Sequence, residues 1–294
     1  MGSILFFSDI HADIGALDEI LRLAHGEDFS LRYGPVARVV NLGDVMERGH
    51  SPGEVIDRLQ GLDNVESILG NHDEAFLGRI PVSGSDVDSE LAHEEYRETG
   101  RYEKFFRGMG KYYVDTGNRL YAVHGGPIDP CAIAPPDAAG VDAWLYTQPW
   151  QRISEMGMRY LDGSGYHYLP SDAFDAVRPT FSAPGFAIVC GHEHEEAAYR
   201  QKGGAIDDLL GALSTETLLM SGREVREKKL SIEEDACYLI RLGIAGPEGY
   251  GEYIEDRCYF GAYSAGAFYM LNFVPVRSAH MAQKLSRTYR RSTR

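Results

Sequence analysis

The chain has 294 residues, of which 44% are hydrophobic and 25% are charged, and its formal net charge is −15. This composition is typical of a globular protein and allows one large domain or two small ones. The negative charge would repel a bare polyanion, so nonspecific nucleic-acid binding is unfavourable, whereas recruitment of divalent cations is favoured.

The first quarter of the chain alternates short apolar runs with amphipathic segments. Apolar residues recur at helical spacing after the first run, and Asp13 is placed to cap that helix. This alternation predicts an α/β fold with mostly parallel strand pairing. The predicted units are strand 4–7 with helix 14–25, strand 37–42 with a helix from Ser51, and strand 65–69.

The rest of the chain is predicted to complete one domain over residues 1–280. Two segments interrupt the alternation, and we interpret them as insertions near 79–117 and 195–232, the first of which leans over the site. Residues 281–294 form a basic tail. The remaining predicted elements are a helix within 90–109, strand 119–123, helices 141–158 and 171–177, and strands 186–190, 236–242, 257–263 and 267–274.

Several features bear on the cellular setting. No apolar run approaches the roughly 20 residues of a membrane helix, and the N-terminus lacks the pattern of a signal peptide. The four cysteines are widely spaced and form no CxxC pair. We therefore expect reduced thiols in a cytoplasmic protein that does not enter a membrane.

Polar side chains that could bind metal follow five of the predicted strands. Any one of them alone is more typical of a turn or a hydrogen-bonded residue, but five such strand ends in one α/β chain predict a common site. Carboxylates, imidazoles and one amide suit Mn²⁺, Fe²⁺ or Zn²⁺. The residues are Asp9 and His11, Asp44, Asn71 and His72, His124, and His192 and His194.

The segment that follows the second strand carries further charged groups. Asp44 has two carboxylate oxygens and could bridge two cations. Arg48 has the planar guanidinium that suits a phosphate oxyanion. Glu47 places a second carboxylate directly before Arg48.

The order of these motifs resembles that of the calcineurin-like metallophosphoesterase superfamily. The resemblance covers residues 4 to about 194 and implies a two-sheet β-sandwich flanked by helices, with two metal ions at the C-terminal ends of the strands. It implies that one metal ion is held by Asp9, His11, Asp44 and His194. The other is held by Asp44, Asn71, His124 and His192, so that Asp44 bridges the pair.

The resemblance also implies a mechanism. A hydroxide that bridges two divalent cations attacks the phosphate ester, and His72 acts as general acid on the leaving group without binding metal. Glu47 and Asp73 are assigned to the catalytic group with His72, and Arg48 and Asn71 to substrate binding. Mn, Fe and Zn share these ligands, and Mn²⁺ is the ion expected to serve in vitro.

The motifs are nearest those of phosphoprotein phosphatases and their bacterial diadenosine tetraphosphatase relatives, but with departures. Glu47 replaces the Asp of that branch, and Ala12 stands where Gly is usual. The expected substrate is therefore a phosphorylated small molecule, nucleotide or phosphoprotein. Hydrolysis of a dinucleoside polyphosphate or phosphodiester is an alternative, as is a scaffold protein with weakened metal binding.

Aromatic residues bear on the alternative substrates. They could stack a base or line the cleft, although packing is the commoner role of such residues in helices. Those considered are Tyr96, Tyr102, Tyr112, Tyr113, Trp144, Tyr146 and Trp150, with Arg152 as a neighbouring cation.

Overall fold

Two large mixed β-sheets lie against each other, and helices cover their outer faces. The computed structural model describes residues 2–78, 87–248 and 257–275. The basic tail 281–294 and the 79–86 part of the first proposed insertion lie outside these residues. In spatial order, the larger sheet contains β12 (Thr215–Met220), β13 (Arg223–Ser231), β16 (Ala267–Phe273), β15 (Cys258–Ser264), β1 (Ser3–Phe7), β2 (Val36–Asn41) and β3 (Val65–Ser67).

The second large sheet and a small third sheet follow from the middle of the chain. The second contains β11 (Ala205–Asp208), β10 (Ala197–Lys202), β14 (Cys237–Arg241), β9 (Phe186–Cys190), β5 (Leu120–Val123) and β4 (Tyr112–Asp115). The third contains β6 (Arg152–Ile153), β8 (Gly165–Tyr168) and β7 (Tyr160–Asp162). The helices are α1 (Ile14–Ala24), α2 (Glu27–Tyr33), α3 (Pro52–Gln60), α4 (Asn71–Gly78), α5 (Val87–Thr99), α6 (Glu103–Arg107), α7 (Pro130–Ile133), α8 (Gly140–Leu145) and α9 (Pro170–Val177).

The core has three layers because successive side chains of a strand point to opposite faces of its sheet. Ile4 and Phe6 of β1 belong to the cluster between the large sheets, whereas Leu5 and Phe7 pack with α1, α2 and α3. In β5 and β9 the side chains also alternate: those on one face pack in the central cluster between the large sheets, and those on the other face pack against α9. The sequence prediction of a two-sheet sandwich flanked by helices is confirmed.

The prediction of mostly parallel pairing is wrong for the sheets as a whole. The pairs β1–β2, β2–β3, β5–β9 and β9–β14 are parallel. Antiparallel pairs are more numerous among the described strands of these sheets: β1–β15, β4–β5, β10–β11, β10–β14, β12–β13, β13–β16 and β15–β16. Ser221-Gly222 and Ala265-Gly266 all have positive φ, the geometry of the tight turns that join twisted antiparallel strands.

Other predicted elements also differ from the structure. The helix predicted over 141–158 is confined to Gly140–Leu145, and Pro149 then lies in a 3₁₀ turn that leads into β6. Within the first proposed insertion, Tyr102 adopts a left-handed conformation and separates α5 from α6. The second proposed insertion, near 195–232, supplies β10 to β13 and so contributes strands to both large sheets.

The cysteines and helices can be compared with the expected cellular setting. All four cysteines are free thiols; Cys190, Cys237 and Cys258 are buried and Cys131 is exposed. Within residues 2–78, 87–248 and 257–275, the helices are all too short or too polar to traverse a lipid bilayer.

Candidate metal centre

The loops that follow β1, β2, β3, β5 and β9 converge at one edge of the two large sheets. The carboxyl ends of neighbouring parallel strands share one edge, where open α/β sheets bind ligands. Three overlapping groups there have potential ligand atoms within 4.8 Å of one another: Asp9, His11 and His194; His11, Asp44 and His72; and Asp44, His124 and His192.

Asp44 links the two halves of this cluster. Its side chain is 1% exposed, and its two oxygens face different imidazoles. Oδ1 lies 3.4 Å from His124 Nε2, whereas Oδ2 lies 3.8 Å from His11 Nε2. A carboxylate in this arrangement could contribute one oxygen to each of two cations.

The first half of the cluster is formed by Asp9, His11 and His194. Asp9 Oδ1 lies 3.3 Å from His194 Nε2 and 3.9 Å from His11 Nε2, and the two Nε2 atoms are 3.3 Å apart. Asp9 Oδ1 is buried without a hydrogen-bond partner among the described residues. Its other oxygen accepts a hydrogen bond from the His192 backbone N–H at 2.9 Å.

The second half of the cluster contains His124, Asn71 and His192. His124 Nε2 lies 3.1 Å from Asn71 Oδ1, and its Nδ1 is held 2.9 Å from the Leu42 carbonyl oxygen. That hydrogen bond assigns the Nδ1 proton and leaves Nε2 for a ligand, as in many metal-binding histidines. Both ring nitrogens of His192 are buried and make no hydrogen bond within the described part of the chain.

These observations fit divalent cations. Buried polar atoms are normally hydrogen-bonded, so unpaired ring nitrogens and an unpaired carboxylate oxygen at one edge indicate a ligand that the protein atoms do not supply. The donor set of carboxylates, imidazoles and an amide suits borderline divalent ions. The residues can therefore hold two such ions.

Burial and mutual charge shift the pKa values in the cluster. Burial would raise the pKa of Asp9, but the adjacent His194 imidazole lowers it to about 2. Burial lowers the pKa of His11 and of His192 well below the ordinary value. Burial also opposes the charged form of His124, but the Asp44 carboxylate raises the pKa of His124 to about 9. Metal binding at His124 would release that proton, the usual coupling between metal binding and protonation.

The backbone around the cluster is strained. Left-handed φ values are uncommon for residues other than glycine and concentrate at functional sites. Seven of the candidate metal-binding, catalytic and phosphate-binding residues have φ between 45° and 72°: Asp9, His11, Asp44, Glu47, Arg48, His192 and His194.

Glycines allow the loops to approach this closely. A Cβ atom on Gly70 would lie 2.1 Å from Asp44 Oδ1, and one on Gly191 would lie 1.9 Å from Ser8 Oγ. Both distances are far below a normal van der Waals contact. The glycines of the Gly-Asn-His and Gly-His motifs are therefore required by packing around the candidate ligands.

His72 and Glu47 form a hydrogen-bonded pair beside Asp44. His72 Nδ1 lies 2.6 Å from Glu47 Oε2, and His72 Nε2 lies 3.9 Å from Asp44 Oδ2. The other carboxylate oxygen of Glu47 lies 2.7 Å from Nε2 of His93, a residue that the sequence analysis did not select. No motif marks His93, because it lies within an ordinary helical pattern in α5.

Asp73 and Arg48 also lie at this edge, where each makes hydrogen bonds that fix a loop. The Asp73 carboxylate accepts hydrogen bonds from the backbone N–H groups of Asp44, Val45 and Gly70 at 2.8, 2.9 and 3.0 Å. It therefore holds the loop after β2 against the start of α4. Arg48 is half-buried, and its backbone N–H donates to Ser89 Oγ at 2.8 Å.

Some of the aromatic residues considered from the sequence pack in the core or along a sheet, whereas others lie near the candidate metal ligands. Tyr96 is buried and stacks on Phe76, and Tyr112 stacks on Tyr121 along β4 and β5. The Trp150 ring, by contrast, lies 6.3 Å from the His192 ring. Trp144 packs against Trp150 and donates from Nε1 to Glu74 Oε2 at 2.5 Å.

Arg241 on β14 holds the loop that carries His192 and His194. Arg241 Nη1 donates to Glu193 Oε2, and its Nε donates to the Glu195 carbonyl oxygen at 2.8 Å. The Glu193 side chain is 11% exposed and that of Arg241 is 7% exposed. This ion pair ties the turn between the two histidines to the second large sheet.

Replacement of Arg241 by methionine should destabilise the protein by about 3–5 kcal/mol, because Glu193 would be left largely buried without its cation. Metal affinity should fall by about 10–100-fold, the usual effect of removing a group that orients ligands. Urea denaturation and metal titration measure the two effects. The double variant Arg241→Met, Glu193→Gln should recover much of the stability, and unchanged metal affinity in Arg241→Met would exclude this role.

Comparisons with known proteins agree with this arrangement. A family model described as calcineurin-like phosphoesterase matches residues 2–196. A solved metallophosphoesterase from Sphaerobacter thermophilus is similar at a TM-score of 0.57 and 19% identity, covering 98% of this chain and 94% of that one. Hypothetical protein PH1004 from Pyrococcus horikoshii OT3 is similar at a TM-score of 0.56 and 13% identity, with the same coverage of 98% and 94%.

At these identities the two structures show a shared fold, and no curated protein matches the chain. The family model, however, spans most of the chain and contains all of the strand ends that carry the candidate ligands. This chain therefore belongs to the calcineurin-like phosphoesterases, a family of metal-dependent phosphoester hydrolases.

Proposed function

We propose that the protein hydrolyses phosphate monoesters on a small molecule or a phosphoprotein, using two divalent cations. The observation that carries this proposal is the buried Asp44 carboxylate, whose two oxygens face different histidines. The His72–Glu47 pair lies beside it. In this proposal one cation would be held by Asp9, His11, Asp44 and His194, and the other by Asp44, Asn71, His124 and His192.

The chemistry is divided between the cations and the side chains. When bound, the cations would supply Lewis-acid activation of the phosphate and of the attacking water. His72 Nδ1–H donates a hydrogen bond to Glu47 Oε2, 2.6 Å away, and the other ring nitrogen, Nε2, lies on the side of Asp44. From there, protonated Nε2 can deliver its proton to the leaving alkoxide as general acid. Asp73 contributes by fixing the loop that carries Asp44.

Arg48 is proposed to bind the phosphate group. It follows Glu47 directly in sequence, and its backbone N–H donates to Ser89 Oγ, so the backbone from which its side chain extends is held beside the His72–Glu47 pair. The fixed planar fork suits two phosphate oxygens at once. Asn71 lies at the same edge and is proposed to contact the substrate as well as the second cation.

Replacement of Arg48 by alanine should raise KM about 10–100-fold with a smaller effect on kcat. A hydrogen bond to a charged group contributes roughly 1.5–3 kcal/mol, which corresponds to that change in affinity. Arg48→Lys should recover only part of the loss, because lysine lacks the fork. Arg38→Ala, at a partly exposed arginine on β2, is the matched control; equal kinetics for Arg48→Ala and this control would remove Arg48 from the site.

A cavity beside His194 supports a second candidate function. It has a volume of about 570 Å³ and is lined by Arg226, Lys228, Tyr259 and several glutamates. Cationic side chains and an aromatic ring could accept the second half of a larger substrate. Hydrolysis of a dinucleoside polyphosphate or a phosphodiester is therefore the alternative.

A panel of four substrates tests these proposals. Wild type is supplied with Mn²⁺ and assayed on an aryl monophosphate, an aryl phosphodiester, diadenosine tetraphosphate and a phosphopeptide. Preference for the monophosphate and phosphopeptide supports the monoesterase proposal. Preference for the diester or dinucleotide favours the alternative, and absence of turnover on all four contradicts both.

We also propose that the protein works in a reducing, cytoplasmic setting, which the free thiols support.

A further inference from the structure

Helix α5 brings a second histidine to the proposed general acid. Glu47 Oε2 lies 2.6 Å from His72 Nδ1, and Glu47 Oε1 lies 2.7 Å from His93 Nε2. Glu47 is 2% exposed, and both histidines are 4% exposed. Each carboxylate oxygen therefore has its own imidazole partner in a setting largely removed from water.

We propose that His93 is a positioning residue that fixes the Glu47 carboxylate and, through it, the orientation and tautomer of His72. This inference rests on the proposed function, in which His72 transfers a proton to the leaving group. His93 itself touches neither the candidate metal ligands nor the leaving group in this proposal.

The proton arrangement follows from the donors and acceptors. An ionised carboxylate only accepts hydrogen bonds, so both histidines must donate to it. Burial would raise the pKa of Glu47, but the hydrogen bonds from His72 and His93 lower it and keep the carboxylate ionised. His72 therefore carries a proton on Nδ1, and its Nε2 is directed towards Asp44. Without His93, Glu47 Oε1 would be buried without that donor and the carboxylate could rotate away from His72.

The position of His93 is itself fixed by packing. The buried face of α5 includes Ser89, His93 and Tyr96, at the spacing of one helical face. Ser89 Oγ accepts the backbone N–H of Arg48, so the same face holds the residue that follows Glu47.

Aromatic contacts join α5 to the helix that begins beside His72. The Phe76 ring of α4 lies 4.5 Å from the His93 ring and 4.9 Å from the Tyr96 ring. Helix α5 thus contacts both the loop that carries Glu47 and the helix that carries His72. A helix from the proposed first insertion would in this way complete the general-acid arrangement.

Two substitutions separate the hydrogen bond from packing. His93→Phe keeps an aromatic ring but removes the donor, whereas His93→Gln retains a side-chain N–H at a similar distance from the backbone. His25→Ala, at the end of α1, is the control. All are assayed with aryl phosphates whose leaving groups differ in basicity.

We expect His93→Phe to lower kcat by about 10–100-fold for poor leaving groups, the range typical of an orienting group, and less for good ones. His93→Gln should recover most of the loss, and His25→Ala should match wild type. In a background of His72→Ala, His93→Phe should cause no further loss. An unchanged leaving-group dependence in His93→Phe, or a full additional loss in the double variant, would overturn the inference.

A spectroscopic measurement on the full chain gives a second readout. The Nδ1–H proton of His72 should give a downfield NMR resonance in wild type, and this resonance should broaden or disappear in His93→Phe. An unchanged resonance contradicts the positioning role. If wild type hydrolyses none of the substrates, the proposed function fails and the inference fails with it. If wild type is active but His93→Phe behaves like His25→Ala, the inference alone fails.

Discussion

Replacement of Asp44 by asparagine should abolish stabilisation by divalent cations and lower turnover by more than about 100-fold. Removing a group that merely orients a ligand costs about 10–100-fold, and Asp44 is proposed to contact both cations directly. The metal-free variant should still fold. An asparagine carbonyl oxygen can accept the His72 backbone N–H that Asp44 Oδ1 accepts at 2.9 Å.

Thermal unfolding with increasing Mn²⁺ measures this effect without depending on activity. A ligand present at about 100 times its dissociation constant stabilises the folded state by roughly 2.7 kcal/mol, so the wild-type melting temperature should rise with metal concentration. The melting temperature of Asp44→Asn should not. Asp63→Asn, at an exposed loop residue, makes the same chemical change away from the site and should behave like wild type. A normal metal-dependent rise in Asp44→Asn would contradict the shared-ligand proposal.

The strand ends of the site could be predicted because parallel strands leave a strong local signal. β1, β5 and β9 are short apolar runs that are buried on both faces, and polar residues follow each of them abruptly. Since the carboxyl ends of such strands meet at one edge, residues far apart in sequence could be placed together before their distances were known. His11 and His194 are separated by 183 positions, yet their Nε2 atoms are 3.3 Å apart.

Other parts of the fold depend on tertiary pairing that no local pattern reveals. β12 is largely exposed, so it lacks the apolar run by which a buried strand is found, and it is defined by its pairing with β13. The prediction of a helix over 141–158 is wrong beyond Leu145, because Pro149 lies in a 3₁₀ turn and Ile153 belongs to β6 of the small sheet. His93 was missed for a related reason: it becomes significant only when α5 lies against Glu47.

Replacement of His72 by alanine should leave metal binding intact and lower kcat by about 10²–10⁴-fold, the range expected for loss of a general acid. The loss should be greatest for alkyl phosphates, because a basic alkoxide needs a proton as it leaves. Aryl phosphates with acidic leaving groups should lose least. Glu47→Gln should reproduce the trend at smaller amplitude, since the amide no longer provides the ionised acceptor for His72 Nδ1.

The structure also defines the alternative role of His72, which is that of a metal ligand. His72 Nε2 lies 3.9 Å from Asp44 Oδ2, and His72 belongs with His11 and Asp44 to one of the three groups that could hold a metal ion. If His72 were a ligand, His72→Ala would reduce the metal-dependent rise in melting temperature and would slow good and poor leaving groups alike. If it is the general acid, the rise should equal that of wild type and only the leaving-group dependence should steepen. Melting curves and kinetics of the same preparation, with His25→Ala beside it, therefore assign His72 to one role or the other.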